Sequence, residues 1–192
     1  MAMQNNHNKF DIISTHVRDL KVLRRRPVID SRGYLERMFC INDLSGVMAA
    51  ESIVQINRTH TKQMGAVRGM HYQLQPNAEI KLVTCLKGRV FDVAVDLRAN
   101  SPTFMKSFSI ELTGNNHTTL FIPKGFAHGF QTLTTDCEML YFHTAQYSPD
   151  HERGLNALDP LLGIEWPLPF NDRSPRDMAH PMLTANFQGI DL

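Results

Sequence analysis

The chain has 192 residues, 42% of them hydrophobic and 20% charged, with a net charge of +1. That length holds one well-cored domain and is short for two, and the near-zero charge gives no electrostatic case for a nucleic-acid or membrane partner. Cys40, Cys85 and Cys137 are widely spaced with no CxxC pair, which fits reduced thiols in a cytoplasm, two of them in strand cores, rather than disulfides or a zinc site.

Residues 1–8 read as a frayed tail with no signal-peptide core, and 9–192 as a single domain. Short strands are predicted over 10–15 and 20–23, then a turn over 30–33, a strand over 34–40 and a short helix within 41–50. Strands follow closely at 52–57, 66–73, 81–86, 89–97, 107–112, 118–122, 129–133 and 138–144. Two alternate cleanly, with Phe91, Val93, Val95 and Leu97 on one face, and Phe108, Ile110 and Leu112 on one face. Gly88 and the turn residues at 100–102, 114–116 and 123–125 punctuate them. Many short, evenly spaced strands predict an all-β jelly roll. From Ser148 the chain is Pro-rich and irregular, with one short helix after Ser174. No apolar run approaches membrane-spanning length.

Two stretches carry the polar chemistry. Ala66-Val-Arg-Gly-Met-His-Tyr-Gln73 packs a guanidinium, an imidazole, a phenol and an amide into a segment of strand-like composition. Strict alternation sends His71 and Gln73 to one face and Arg68 to the other. A bulge at Gly69 would turn Arg68 back towards the side that His71 faces. The alternative is a sheet-edge strand with one solvated face. In Leu120-Phe-Ile-Pro-Lys-Gly-Phe-Ala-His-Gly-Phe-Gln131, His128 stands in an otherwise apolar run. It is either a core histidine satisfied by a backbone carbonyl or part of a shared pocket with His71.

Metal-binding jelly rolls of the cupin type offer an H-x-H pair, a downstream Glu and a later His. The nearest set here is His60, His71, Glu79 and His128, and Gln73 stands where the second histidine of the pair belongs, so no metal is expected. A metal-free acid/base site fits better. His71 suits a general base, with Asp92, Asp96, Asp159 and Asp177 as candidates to orient it. Tyr141 is an acid or a plain core tyrosine; Lys81 lies against developing negative charge or at an exposed strand end. Asp177 has a competing explanation. Ser174-Pro-Arg-Asp177 reads as an N-cap serine, a first-turn proline and an acid at the third position, which would account for the carboxylate without catalysis.

These residues resemble a known family, the nucleotide-diphosphate 4-keto-6-deoxyhexose 3,5-epimerases, best known as dTDP-4-dehydrorhamnose 3,5-epimerase. The matching motifs are Asp30-Ser-Arg-Gly33, Arg68-Gly-Met-His-Tyr-Gln73, Lys81-Leu-Val, Phe91-Asp-Val-Ala-Val-Asp-Leu-Arg98 and Ser101-Pro-Thr-Phe104. Ile122-Pro-Lys-Gly-Phe-Ala-His-Gly-Phe130, Tyr147-Ser-Pro149, Asp159-Pro160, Ile164-Glu-Trp-Pro167 and the segment 174–177 continue them in the family's order.

The resemblance implies a cofactor-free and metal-free cupin that works as a cytoplasmic homodimer on a nucleotide-diphosphate sugar. It places His71 on the catalytic base, Asp177 on its paired carboxylate, Tyr141 on the acid of the opposite face, and Lys81 near the sugar's C4 oxygen. Arg32, Gln55, Asn57, Arg68, His128 and Tyr147 fall on substrate-contacting positions, the arginines towards the diphosphate and Tyr147 towards the base. Glu36 and Gln73 complete the expected substrate-binding set. At Tyr34-Leu-Glu-Arg37 the chain departs from the family, whose typical members carry two phenylalanines and place the acid one position later. Phe142 stands where a lysine often follows the tyrosine, and Arg58-Thr-His60 replaces small hydroxyl residues. The nucleotide and the number of centres inverted stay open, with a single-centre epimerase, a ketoisomerase and a non-catalytic sugar-nucleotide-binding cupin as alternatives.

Overall fold

Alternation between inward and outward side chains divides the chain into two facing antiparallel sheets in a computed structural model that describes residues 8–192. The strands are β1 (Phe10–Ser14), β2 (Lys21–Arg25), β3 (Val28–Asp30), β4 (Gly33–Leu35), β5 (Gln55–Thr61), β6 (Val67–Gln73) and β7 (Lys81–Lys87). They continue as β8 (Arg89–Asp96), β9 (Ser107–Thr113), β10 (Thr118–Ile122), β11 (Phe126–Thr132), β12 (Cys137–His143) and β13 (Glu152–Gly154). One sheet has the order β1-β2-β10-β7-β12-β5 and the other β13-β6-β11-β8-β9, while β3 and β4 form a separate hairpin. This is the expected all-β jelly roll. The expected tail lies outside the described residues, apart from Asn8.

Three apolar clusters account for the layers. Val83, Cys85, Leu120 and Met139 of the first sheet meet Val90, Ala94, Leu112, Phe126 and Phe130 of the second, filling the sandwich. Phe108 and Ile110 pack on this core beside Leu112, as their alternation predicts. Phe91, Val93, Val95 and Leu97 instead face outward, where Leu155, Leu162, Trp166 and Phe170 of the C-terminal segment cover them. On the far side Leu44, Met48 and Phe39 cover Leu82, Phe121 and Phe142. A sheet covered on both faces explains why β11 is buried at every position. All three cysteines are free, and burial pushes the Cys85 thiol up to about 12.

Three expectations need correction. The strand expected over 34–40 stops at Leu35, because the chain turns at 30–33 into the short hairpin β3–β4 and then leaves the sheet to cover its outer face. The short helix expected within 41–50 is present as α1 (Ser45–Met48), kept to four residues with an N-cap, Leu44, that has no side-chain acceptor to offer. The strand over 52–57 begins later and runs further, as β5, because it pairs with the whole of β12. The segment after Ser148 contains β13, a three-residue edge strand on β6 too short for any periodic signal. The helix after Ser174 is present as α2 (Pro175–Ala179). Among the described residues no helix is long and apolar enough to cross a membrane.

Candidate active site

Glycine chemistry sets the geometry of β6. His71 stands opposite His128 and Arg68 opposite Phe130 of β11, so Gly69 and Met70 together oppose Gly129 alone. The extra residue is a bulge, and it brings Arg68 and His71, which alternation would separate, to one cavity. Gly69 holds φ +119°, and a Cβ there would stand 2.6 Å from the Cα of Gly129, so no other residue fits.

The cavity, about 510 Å³, opens between the sheets. From the first sheet β5 supplies Gln55, Asn57, Thr59 and Thr61, β12 supplies Tyr141 and His143, and β7 supplies Lys81. From the second come Arg68, His71 and Gln73 on β6 and His128 on β11, while residues 172–177 close one side. His71 and Tyr141 therefore face the same space from opposite sheets.

Each of the four carboxylates considered for orienting His71 has a distinct partner. Asp92 meets His128 Nε2 with both oxygens at 3.0 Å. Asp96 accepts from Arg98, Ser101 and Thr103 and fixes the turn after β8. Asp159 caps a 3-10 turn over Pro160–Leu162 by accepting from the Leu161 N–H at 2.9 Å. Asp177 alone reaches His71, with Oδ1 2.7 Å from its Nε2. Its Oδ2 accepts from the Gly69 N–H at 3.3 Å, tying the pair to the bulge. The capping explanation is also present: the Asp177 N–H donates to Ser174 Oγ at 3.0 Å. The cap uses the backbone of Asp177 and leaves its carboxylate for His71, so the two readings coexist.

Electrostatics agree with these pairings. Burial alone would raise the Asp177 carboxyl, but the His71 bond and charge outweigh it and hold it below the usual range. A carboxylate on Nε2 favours the Nε2–H tautomer and leaves the Nδ1 lone pair as the basic site. Burial raises the Tyr141 phenol above the ordinary tyrosine range, so it stays protonated and able to donate. Its ring stacks on His143 at 6.1 Å and meets His128 edge-on at 6.3 Å. Lys81 Nζ lies 3.2 Å from Glu79, which also accepts from His143 Nδ1 at 2.7 Å. Burial of Glu79 is outweighed by Lys81 and His143, and its carboxyl falls below the usual range.

Other expected site residues are placed differently. Gln73 lines the cavity, but its amide fastens the following loop, donating to the Asn77 and Gln146 carbonyls and accepting from Ser148. Tyr147 sits at the rim and donates to Glu152 at 2.8 Å. Arg68 donates to Thr61 at 2.9 Å, and Asn57 lies 3.4 Å from His143 Nε2. Arg32 and Glu36 do not line this cavity. Arg32 pairs with Asp30 at the exposed hairpin, and Glu36 bonds Arg25 and His117.

Sequence reasoning missed Thr59, Thr61, His143, Arg173 and Arg176 on the cavity wall. Period-two spacing from Asn57 and from Tyr141 marks the first three; the two arginines lie in irregular chain without such a signal. Thr59 is also the side-chain hydrogen-bond partner of the Tyr141 phenol, which ties β5 to β12 at the cavity wall. The cupin-type metal set does not converge, since His60 pairs with Asp136 at the surface and Glu79 with Lys81 and His143.

Comparison with known proteins gives the same direction. A family model described as dTDP-4-dehydrorhamnose 3,5-epimerase matches residues 14–185. A dTDP-4-dehydrorhamnose 3,5-epimerase from Sinorhizobium fredii is 43% identical over 171 residues, covering 88% of each chain. A 3,5-epimerase from Legionella pneumophila, solved with dTDP-4-keto-L-rhamnose, superposes with TM-score 0.87 at 36% identity, covering 94% of this chain and 98% of its own. A 3'-monoepimerase from Streptomyces bikiniensis, solved with dTDP-quinovose, gives TM-score 0.79 at 29% identity, covering 88% and 86%.

Proposed function

The chain belongs to the dTDP-4-dehydrorhamnose 3,5-epimerase family, and from that premise we propose that it inverts C3, C5 or both in a nucleotide-diphosphate-linked 4-keto-6-deoxyhexose. The observation that carries the reading is the placement of a carboxylate-backed imidazole and a protonated phenol on opposite walls of one cavity.

The C4 ketone acidifies the hydrogens at C3 and C5. His71 Nδ1 takes one of them, the C–H electron pair moves into an enolate, and the Lys81 ammonium stabilises the oxyanion. Tyr141 returns a proton from the other face, inverting the centre. The phenolate and imidazolium then reset by proton exchange with water, so each inversion leaves one solvent hydrogen on carbon. Residue types that only bind would not need a donor and an acceptor facing each other. Beside Lys81, the guanidinium groups of Arg68, Arg173 and Arg176 line the cavity, which suits a diphosphate.

A homodimer is part of the proposal. Ile29 and Leu35 on the β3–β4 hairpin are 74% and 71% exposed, and Val54 and Ile56 at the free edge beside β5 are also bare. A second copy would cover such a surface, and Arg32 on that hairpin would gain the partner's cavity to reach. A monomeric elution volume at micromolar concentration would overturn this part. A cytoplasmic location is proposed from the three unpaired cysteines.

The deciding experiment is incubation with dTDP-4-keto-6-deoxyglucose in deuterated water, followed by NMR and mass measurement of deuterium at C3 and C5. Two deuteriums support the double epimerase, and one names the single centre inverted. No incorporation overturns the assignment for this substrate.

A further inference from the structure

One histidine beside the site has no part in the proposed reaction. His180 follows α2, and its Nε2 is buried without a hydrogen-bond partner. That nitrogen lies 3.7 Å from Asp177 Oδ1, and its ring meets the His71 ring edge-on at 5.5 Å. The imidazole occupies space that Gly154 leaves open, since a Cβ on Gly154 would collide with it. An unpaired buried nitrogen aimed at an occupied carboxylate is unfavourable unless something joins them.

His71, Asp177 and His180 each offer one ligand atom, and these atoms lie within 4.8 Å of one another. Zinc bonds of about 2.0–2.1 Å in a tetrahedron place ligand atoms about 3.3 Å apart. The distances from Asp177 Oδ1 to His71 and His180, 2.7 Å and 3.7 Å, straddle that spacing. We propose that His71, Asp177 and His180 form an inhibitory binding site for a divalent cation of the zinc class.

Two imidazoles and a carboxylate with a fourth position open are a donor set such ions take. Entry is available from both sides. His71 and Asp177 line the substrate cavity, and His180 lines a shallower cleft behind it with Tyr72, Tyr147 and Arg176. A bound ion takes the Nε2 lone pair of His71, so the neutral ring carries its proton on Nδ1. No lone pair then remains to remove a substrate proton. The inhibition rests on His71 being the base of the proposed function; the binding does not.

Metal-free full-length protein titrated with Co²⁺ reads the site directly through visible d–d absorption, and Zn²⁺ competes for it. Expected are one ion per chain, displacement by Zn²⁺, and loss of carbon–hydrogen exchange in step with occupancy. His180→Phe keeps a ring over Gly154 and against His71 while removing the ligand. It is expected to weaken Co²⁺ binding beyond the roughly 100-fold that outer-sphere changes cause, to leave metal-free exchange within a few-fold of wild type, and to abolish Zn²⁺ inhibition. His71→Ala should also lose the Co²⁺ spectrum. A wild type that shows no tetrahedral Co²⁺ bands, or a His180→Phe protein that binds as wild type does, overturns the proposal. If metal-free wild type shows no exchange, the function fails, and the spectra still judge the site.

Discussion

His71 and His128 stand directly opposite each other on β6 and β11, yet each is bonded to its own carboxylate, Asp177 and Asp92. The two pairs differ in environment. Burial of Asp92 outweighs the His128 charge and raises its carboxyl, whereas Asp177 is held low by His71 despite burial. Both histidines line the cavity, but the His71 side chain is 30% exposed against 7% for His128, so His71 is the more open of the two to a ligand.

The double role of Asp177 can be split by mutation. Ser174→Ala removes the cap acceptor and should cost about 1 kcal/mol in urea unfolding with little change in turnover. Asp177→Asn keeps the backbone bond to Ser174 but takes the charge from His71, and exchange should fall by about 10²–10⁴. Equal activity losses in the two variants would contradict the assignment.

The two half-reactions should separate as well. His71→Ala is expected to abolish solvent hydrogen exchange. Tyr141→Phe should keep exchange partly alive, because the base still works, while inversion is impaired. The readout is deuterium incorporation against product stereochemistry in the same sample, and near-complete exchange in both variants would contradict the roles.

Gly69→Ala tests the bulge. The added methyl would stand 2.6 Å from Gly129 Cα and 2.7 Å from the His128 carbonyl, at a φ unsuited to alanine. A loss of about 3 kcal/mol or more is expected, with activity falling further than stability because Arg68 and His71 shift together. Gly46→Ala, which meets open space, is the control and should be nearly neutral.

Asp96 supplies the acid-stability prediction. Burial would raise its carboxyl, but Arg98, Ser101 and Thr103 together lower it. A carboxyl lowered in the folded state contributes stability above its unfolded value, near 3.9, and loses it as pH falls through the folded value. Asp96→Asn should therefore destabilise the protein by about 3 kcal/mol at neutral pH. The gap to wild type, measured by urea unfolding at decreasing pH, should close in the acid range below the ordinary carboxylate value.

Much of this was readable because the site lies on strands. The alternation of Phe91, Val93, Val95 and Leu97 identifies an outer face, and the same rule carries Tyr141 to His143. Gly69 marks its own bulge, since a glycine within an otherwise polar and branched strand has few other uses. Asp177 is different. Nothing near it in sequence distinguishes a capping acid from a catalytic one, because the backbone and the carboxylate take separate partners, and only the fold brings β6 to α2. The arginines at 173 and 176 are hidden for the same reason, lying in chain whose conformation is set by packing rather than period. Arg32 carries a family pattern, but the hairpin that bears it leads away from the cavity of its own chain.

The bond between His71 and Asp177 joins residues 106 positions apart, and the second lies in α2, beyond the last strand. By the time β12 has left the ribosome, every strand of the first sheet and four of the second's five have been made, but His71 has no carboxylate. A nascent or truncated chain ending before α2 would thus have a nearly complete sandwich and an unassisted imidazole. The His71–Asp177 pair is completed only once α2 has been made, so its formation becomes a report on the integrity of the segment that follows β13.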